Sequence, residues 1–109
     1  MQTGLGPGSR LTQLERMLEK SPDDTFLLYG IGMEYKTAGD TDRAIEYFNR
    51  VVQLDPGYCY AYHQRGLACE IAGDLEAARQ AYREGVAAAA KKGDAHAQGE
   101  IQAALDLLG

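Results

Sequence analysis

The sequence predicts an all-α fold: tandem helix-turn-helix repeats with a further helix at each end. Three observations predict it. Sliding the chain along itself by 34 residues brings Gly32 onto Gly66, Ala38-Gly39-Asp40 onto Ala72-Gly73-Asp74, Ala44 onto Ala78 and Val52 onto Val86. Phe48 falls on Tyr82 and Leu28 on Tyr62 in the same alignment; a fixed period of this size marks a repeat architecture. Apolar residues recur at helical spacing, and no segment alternates like a half-buried strand. The shared Ala-Gly-Asp reads as a helix C-terminus, a glycine able to take positive φ, and an aspartate that caps the next helix.

The elements follow in order. Met1 to Gly8 carries no apolar core of a signal peptide and reads as a flexible tail, native or left from cloning. Leu11, Leu14 and Leu18 mark a short helix from about Ser9 to Lys20. Ser21-Pro22-Asp23-Asp24 opens the next, with Ser as cap, Pro in the first turn and acids at the positive dipole end, and it runs from Asp23 to Ala38. Its partner runs from Thr41 to Leu54, and Asp55-Pro56 closes it because the residue before Pro resists helical geometry. The second unit has helices from Gly57 to Ala72 and from Leu75 to Lys92. After Gly93-Asp94 a last helix carries Ile101, Leu105 and Leu108 on one face and ends near residue 108. The chain thus reads as one domain over residues 9–109, with repeats at 23–56 and 57–90 and a capping helix over 94–108.

Gly32 and Gly66 occupy the same repeat position inside helices, where glycine costs about 1 kcal/mol relative to alanine. Close helix-helix approach explains them, and the small Ala44 and Ala78 of the partner helices are the expected neighbours.

This pattern resembles the tetratricopeptide repeat, whose signature is W-x2-L-G-x2-Y, then A-x3-F, then P. In the first unit Leu28 stands for the Trp and Ile31 for the Leu, while Gly32, Tyr35, Ala44, Phe48 and Pro56 match. In the second, Tyr62 stands for the Trp and Arg65 for the Leu; Gly66 and Ala78 match, Cys69 replaces the Tyr, Tyr82 stands for the Phe, and Ala90 sits where the Pro belongs. Without that Pro the helix runs on through Val86-Ala87-Ala88-Ala89-Ala90.

Opposite the packing stripe of Leu28, Ile31, Gly32 and Tyr35 lies a second stripe, Phe26, Tyr29 and Met33, repeated as Tyr60, His63 and Leu67 and continued by Lys36 and Glu70. The resemblance implies that these eight residues face a groove lined by the first helix of each repeat, where aromatic residues and Met would anchor a protein or peptide partner. One branch of the family holds chaperone C-terminal carboxylates with Lys, Arg and Asn; Tyr29 and Met33 stand where such polar groups are expected, which disfavours that ligand. Three alternatives stay open: Phe26 or Leu67 as plain core, the last helix folded over the groove, and a homodimer through the Ile101, Leu105, Leu108 face, with Leu107 adding to the contact.

The rest of the sequence narrows the function classes. A net charge of -5 with no basic cluster beyond Lys91-Lys92 disfavours a phosphate backbone. No apolar run reaches the length of a membrane span. Cys59 and Cys69 lie about 15 Å apart along one helix, beyond the roughly 7 Å a disulfide spans, and free thiols fit a reducing compartment, so a cytoplasmic location is expected. Cys59 and His63 share a helix face, yet a structural zinc site needs four ligands and only Cys69 and His96 remain. No phosphate loop, nucleophile elbow or paired-His motif occurs, so neither cofactor nor catalysis is expected.

Overall fold

The computed structural model describes the backbone of residues 7–109 and the side chains from Arg10 onward. Six helices are present and no strand occurs among the described residues: α1 Pro7–Lys20, α2 Thr25–Thr37, α3 Thr41–Leu54, α4 Cys59–Ile71, α5 Leu75–Lys92 and α6 Ala95–Leu108. The first helix begins two residues ahead of the expected Ser9, so the expected tail over 1–8 overlaps it at Pro7 and Gly8 and otherwise lies outside the described residues.

The turn chemistry explains the boundaries. Ala38 is the C-cap of α2, the Gly39 N–H donates to the Lys36 carbonyl (3.1 Å), and the Asp40 N–H donates to the Tyr35 carbonyl (2.9 Å). Gly39 takes φ 86° to make this possible, as Gly73 (82°) and Gly93 (79°) do at the matching places. The carboxylate of Asp40 then accepts from the Arg43 N–H of α3 (3.2 Å). Asp74 and Asp94 cap α5 and α6 in the same way, through the N–H groups of Ala77 and Ala97. One Gly-Asp pair therefore ends one helix and starts the next.

Two further starts differ from expectation. The cap of α2 is Asp24, which accepts from the Leu27 N–H (3.2 Å), and α4 begins at Cys59. Ser21-Pro22-Asp23-Asp24 and Asp55-Pro56-Gly57-Tyr58 are closed by hydrogen bonds from their fourth N–H to their first carbonyl. Each Pro thus sits second in a turn, where its fixed φ is favoured, and the helix waits until the turn is complete.

Each helix packs on its chain neighbours. In addition the backbone of α2 comes close to α4 and that of α4 to α6, while the backbones of α1, α3 and α5 stay farther from one another. The array therefore has two layers and curves toward the α2–α4–α6 side, within an elongated body of 46 × 28 × 19 Å. The first layer is tied to α1 by Arg10–Glu34 (3.1 Å) and by the Tyr35 hydroxyl donating to Glu15 (3.3 Å).

The core runs along the stack as linked clusters around Leu28 and Val51, then Ala44, Phe48 and Ala68, then Tyr82, Ala89, Ala97 and Ile101. Cys59 and Cys69 are free thiols buried in the last of these. Gly32 and Gly66 do mark close approach, but their neighbours are aromatic. A Cβ on Gly32 would stand 2.6 Å from the Phe48 ring, and one on Gly66 would stand 2.2 Å from the Tyr82 ring. Ala44 and Ala78 are fully buried on the partner helices, but the atoms nearest the two glycines are those of the rings. Gly85 is a third such position, lying between Tyr62 and Ile101.

The dimer face proposed from sequence is spent inside the chain. Ile101 is fully buried against α4 and α5, and Leu105 and Leu108 pack on the same cluster. Only Leu107, off that face, stays 89% exposed.

Candidate functional site

The concave face is assembled from one helix per unit. The caps Asp24, Tyr58 and Asp94 align α2, α4 and α6. Four sets of residues then share equivalent positions on the three helices: Phe26, Tyr60, His96; Tyr29, His63, Gly99; Met33, Leu67, Ala103; and Lys36, Glu70, Asp106. Two hydrogen bonds join neighbouring helices across it, from Lys36 Nζ to Gln64 Oε1 (2.8 Å) and from the Tyr60 hydroxyl to Glu100 Oε1 (2.9 Å).

The eight residues expected at the groove take different roles. Phe26 is 75% exposed, and Tyr60 is at the margin of exposure. Tyr29 is half-buried: its ring stacks on Tyr58 at 5.1 Å and tilts against Phe48 at 5.7 Å. Met33 packs on the Ala44–Phe48–Ala68 cluster, so it and Tyr29 hold the fold as well as the surface. Leu67 is half-buried on α4. His63 lies between the Tyr60 ring (6.5 Å) and the edge of Tyr82 (6.0 Å). Burial pushes its imidazole below the ordinary value with help from Lys36, against the opposing pull of Glu100 and Glu70.

Lys36 and Glu70 stand at one repeat position with opposite charge, and the layer beneath explains the change. The first unit places Phe48 under Gly32; the second places Tyr82 under Gly66. Phe48 needs no acceptor, whereas the fully buried Tyr82 must place its hydroxyl, which donates to Glu70. Burial and this bond raise the phenol well above its usual range.

Arg65, at the position of a family leucine, is only 12% exposed in its side chain. Its guanidinium reaches Asn49 on α3 (3.1 Å) and Glu84 on α5 (2.9 Å), and lies over the Tyr62 ring. It is turned away from the concave face and clamps three helices. Burial would raise the Glu84 carboxyl, but the bonds from Arg65 and Gln80 outweigh it and hold the group below the usual carboxylate range.

Sequence reasoning missed the third wall. α6 extends the stack, and its backbone approaches α4 and α5 but not α2 or α3, so it stands beside the face as a third wall. It adds His96, Gly99, Glu100 and Ala103. The period hides them: α5 has 18 residues against 14 in α3 while the following turn is shorter, so the third member of each set stands 36 residues after the second. The cap Asp94, aligned with Asp24, is the signal that would have found them. Among the described residues no group of three or more His, Cys, Asp or Glu is placed to hold a metal ion, and no helix is long and apolar enough to cross a membrane.

Comparison with known proteins agrees with this architecture. Tetratricopeptide repeat profiles match residues 26–58 and 60–92. A TPR repeat-containing protein of Pseudomonas aeruginosa is 44% identical over 88 residues, covering 81% of this chain and 84% of the relative. The solution structure of a Bordetella parapertussis protein superposes with a TM-score of 0.80 at 30% identity, over 99% of this chain and 89% of that one. The Sgt2 TPR domain of Aspergillus fumigatus shares the fold, with a TM-score of 0.78 at 22% identity over 94% of this chain and 65% of that one. With two repeats matched and both layers of the repeat in place, the chain belongs to the tetratricopeptide repeat family.

Proposed function

We propose that this chain is a non-catalytic scaffold that binds a segment of a partner protein on the concave face of α2, α4 and α6. Protein-protein interaction is the general role of such repeats, and the finer reading places it at Phe26, Tyr29, Met33, Lys36, Tyr60, His63, Leu67 and Glu70. The observation that carries it is the exposure of Phe26, 75% open on α2, one of the helices on the side toward which the array curves. An aromatic side chain held in water on a rigid helix is a ready anchor for a partner. Burial of both free cysteines is consistent with a reducing, cytoplasmic setting.

The test is site-specific photo-crosslinking in cells. A benzoylphenylalanine at position 26 should give discrete protein adducts, and one at the exposed Arg83 of α5, on the outer layer, should not. Identical adducts from both positions, or none from position 26, would sink the assignment.

A further inference from the structure

The α4–α6 half of the concave face has a chemistry of its own. Ile71 and Leu107 occupy equivalent positions on the two helices and are 61% and 89% exposed. One turn earlier on each helix stand Leu67 and Ala103. Together they make two parallel i, i+4 apolar pairs, an edge that internal packing leaves open. Gly99, one further turn back on α6, has no atom within 4 Å of where a Cβ would be, so a partner backbone can approach α6 closely there.

Carboxylates outnumber cations around this strip, with Arg79 of α5 reaching the Leu108 and Gly109 carbonyls (3.4 Å each) at the end of α6. Glu70, Glu100 and Asp106 border it. α6 contains no Lys or Arg, and the single Arg of α4, Arg65, is turned inward to Asn49 and Glu84. Lys36, the basic residue of the face, lies on α2, on the far side of α4 from α6, and reaches across to Gln64 of α4 (2.8 Å).

We infer that the occupant of this half is an amphipathic helix with an apolar stripe flanked by Lys or Arg. The inference rests on the concave face being the binding surface. A helix satisfies its own backbone hydrogen bonds, whereas an extended segment would lay unpaired N–H and C=O groups on Leu67, Ile71, Ala103 and Leu107, which offer none in return. A trough between two helices with side chains every fourth residue accepts the i, i+4 ridge of a third. The acidic border then selects a cationic flank and sets its direction, with the basic residues toward α6 and away from Lys36.

The experiment is selection from a displayed library of helical peptides with randomised faces, against the full chain and against the double variant Glu100→Lys plus Asp106→Lys. The wild-type chain should enrich helices with an apolar stripe and net positive charge, and the variant, checked for retained helicity, should enrich net acidic ones. Peptides from the wild-type pool should bind at least tenfold more weakly to Ala103→Gln, which fills the trough at an exposed position. An empty selection, a pool without positive bias, the same pool from both baits, or unchanged binding to Ala103→Gln each overturns the inference. Discrete crosslinks at position 26 alongside a charge-neutral pool would leave the concave-face reading standing and remove only the cationic helix.

Discussion

Replacing Gly66 with alanine sets two effects of opposite sign against each other, and the structure decides between them. Alanine gains about 1 kcal/mol over glycine in a helix interior. The added Cβ, however, would stand 2.2, 2.6 and 2.6 Å from three carbons of the Tyr82 ring. Ordinary contact begins more than an ångström farther out. The ring has little room to retreat, because it is fully buried and its hydroxyl is bonded to Glu70. Overpacking of this kind costs about 1–3 kcal/mol, and so deep an overlap belongs at the upper end, leaving a net loss of about 2 kcal/mol after the helix gain. Expelling the ring instead would cost about 3–5 kcal/mol, the range for emptying an aromatic core site. For a domain of this size the smaller figure lowers Tm by about 8–16 °C. Thermal and urea unfolding followed by circular dichroism measures it. Gly99→Ala is the internal control: with nothing near the new methyl, only the helix gain remains, and it should stabilise by about 0.5–1 kcal/mol. A Gly66→Ala protein as stable as the parent would refute the packing argument, as would loss of stability in Gly99→Ala.

Arg65→Ala should lose about 1–2 kcal/mol in urea unfolding, because it strips Asn49 and Glu84 of a charged partner and uncovers Tyr62. A midpoint unmoved by the substitution would mean the clamp holds nothing. His63 predicts a pH dependence. Its folded pKa lies below the unfolded value of 6.5, so the folded chain binds fewer protons than the unfolded one as pH falls through that region. Stability from this group is complete above about pH 6.5, declines as pH falls below it, and stops declining once the folded imidazole is protonated. Urea unfolding between about pH 7.5 and 5.5 should show the decline in the parent and a flatter profile in His63→Gln, with Glu100, Lys36 and Glu70 left in place around it. Parallel profiles for the two proteins would remove His63 as the cause.

How much of this was legible in the residues depends on the range of the forces involved. Local chemistry gave the all-α class, the period, and the bounds of α3 and α5, because a Gly at positive φ followed by an Asp cap is complete within a few residues. The Pro turns misled by two residues: the same Ser-Pro-Asp-Asp suits a helix start and a turn before one, and only the closing bond from the Asp24 N–H to the Ser21 carbonyl separates them. Sequence also placed glycine at a close helix contact but did not name its nearest neighbour. Ala44 is small and adjacent in the pattern, yet which side chain slides over Gly32 depends on how the two helices cross, and the crossing puts the Phe48 ring there.

The terminal helices show the same division. An apolar face on α6 was visible, but whether Ile101 would meet a second chain or its own could not follow from spacing, since burial against Cys59, Tyr82 and Ala89 is set by the packing of α4 and α5 beneath it. The eight candidate residues were found as a stripe, because helical periodicity is a local property. Their division into an open Phe26, a structural Tyr29 and Met33, and a Glu70 bound to Tyr82 is tertiary. By itself, then, the sequence determined the repeat, its caps and the stripe, all written within one or two turns of helix. The direction of curvature, the third wall on α6 and the use of each charge were decided only when helices distant in sequence came within reach of one another.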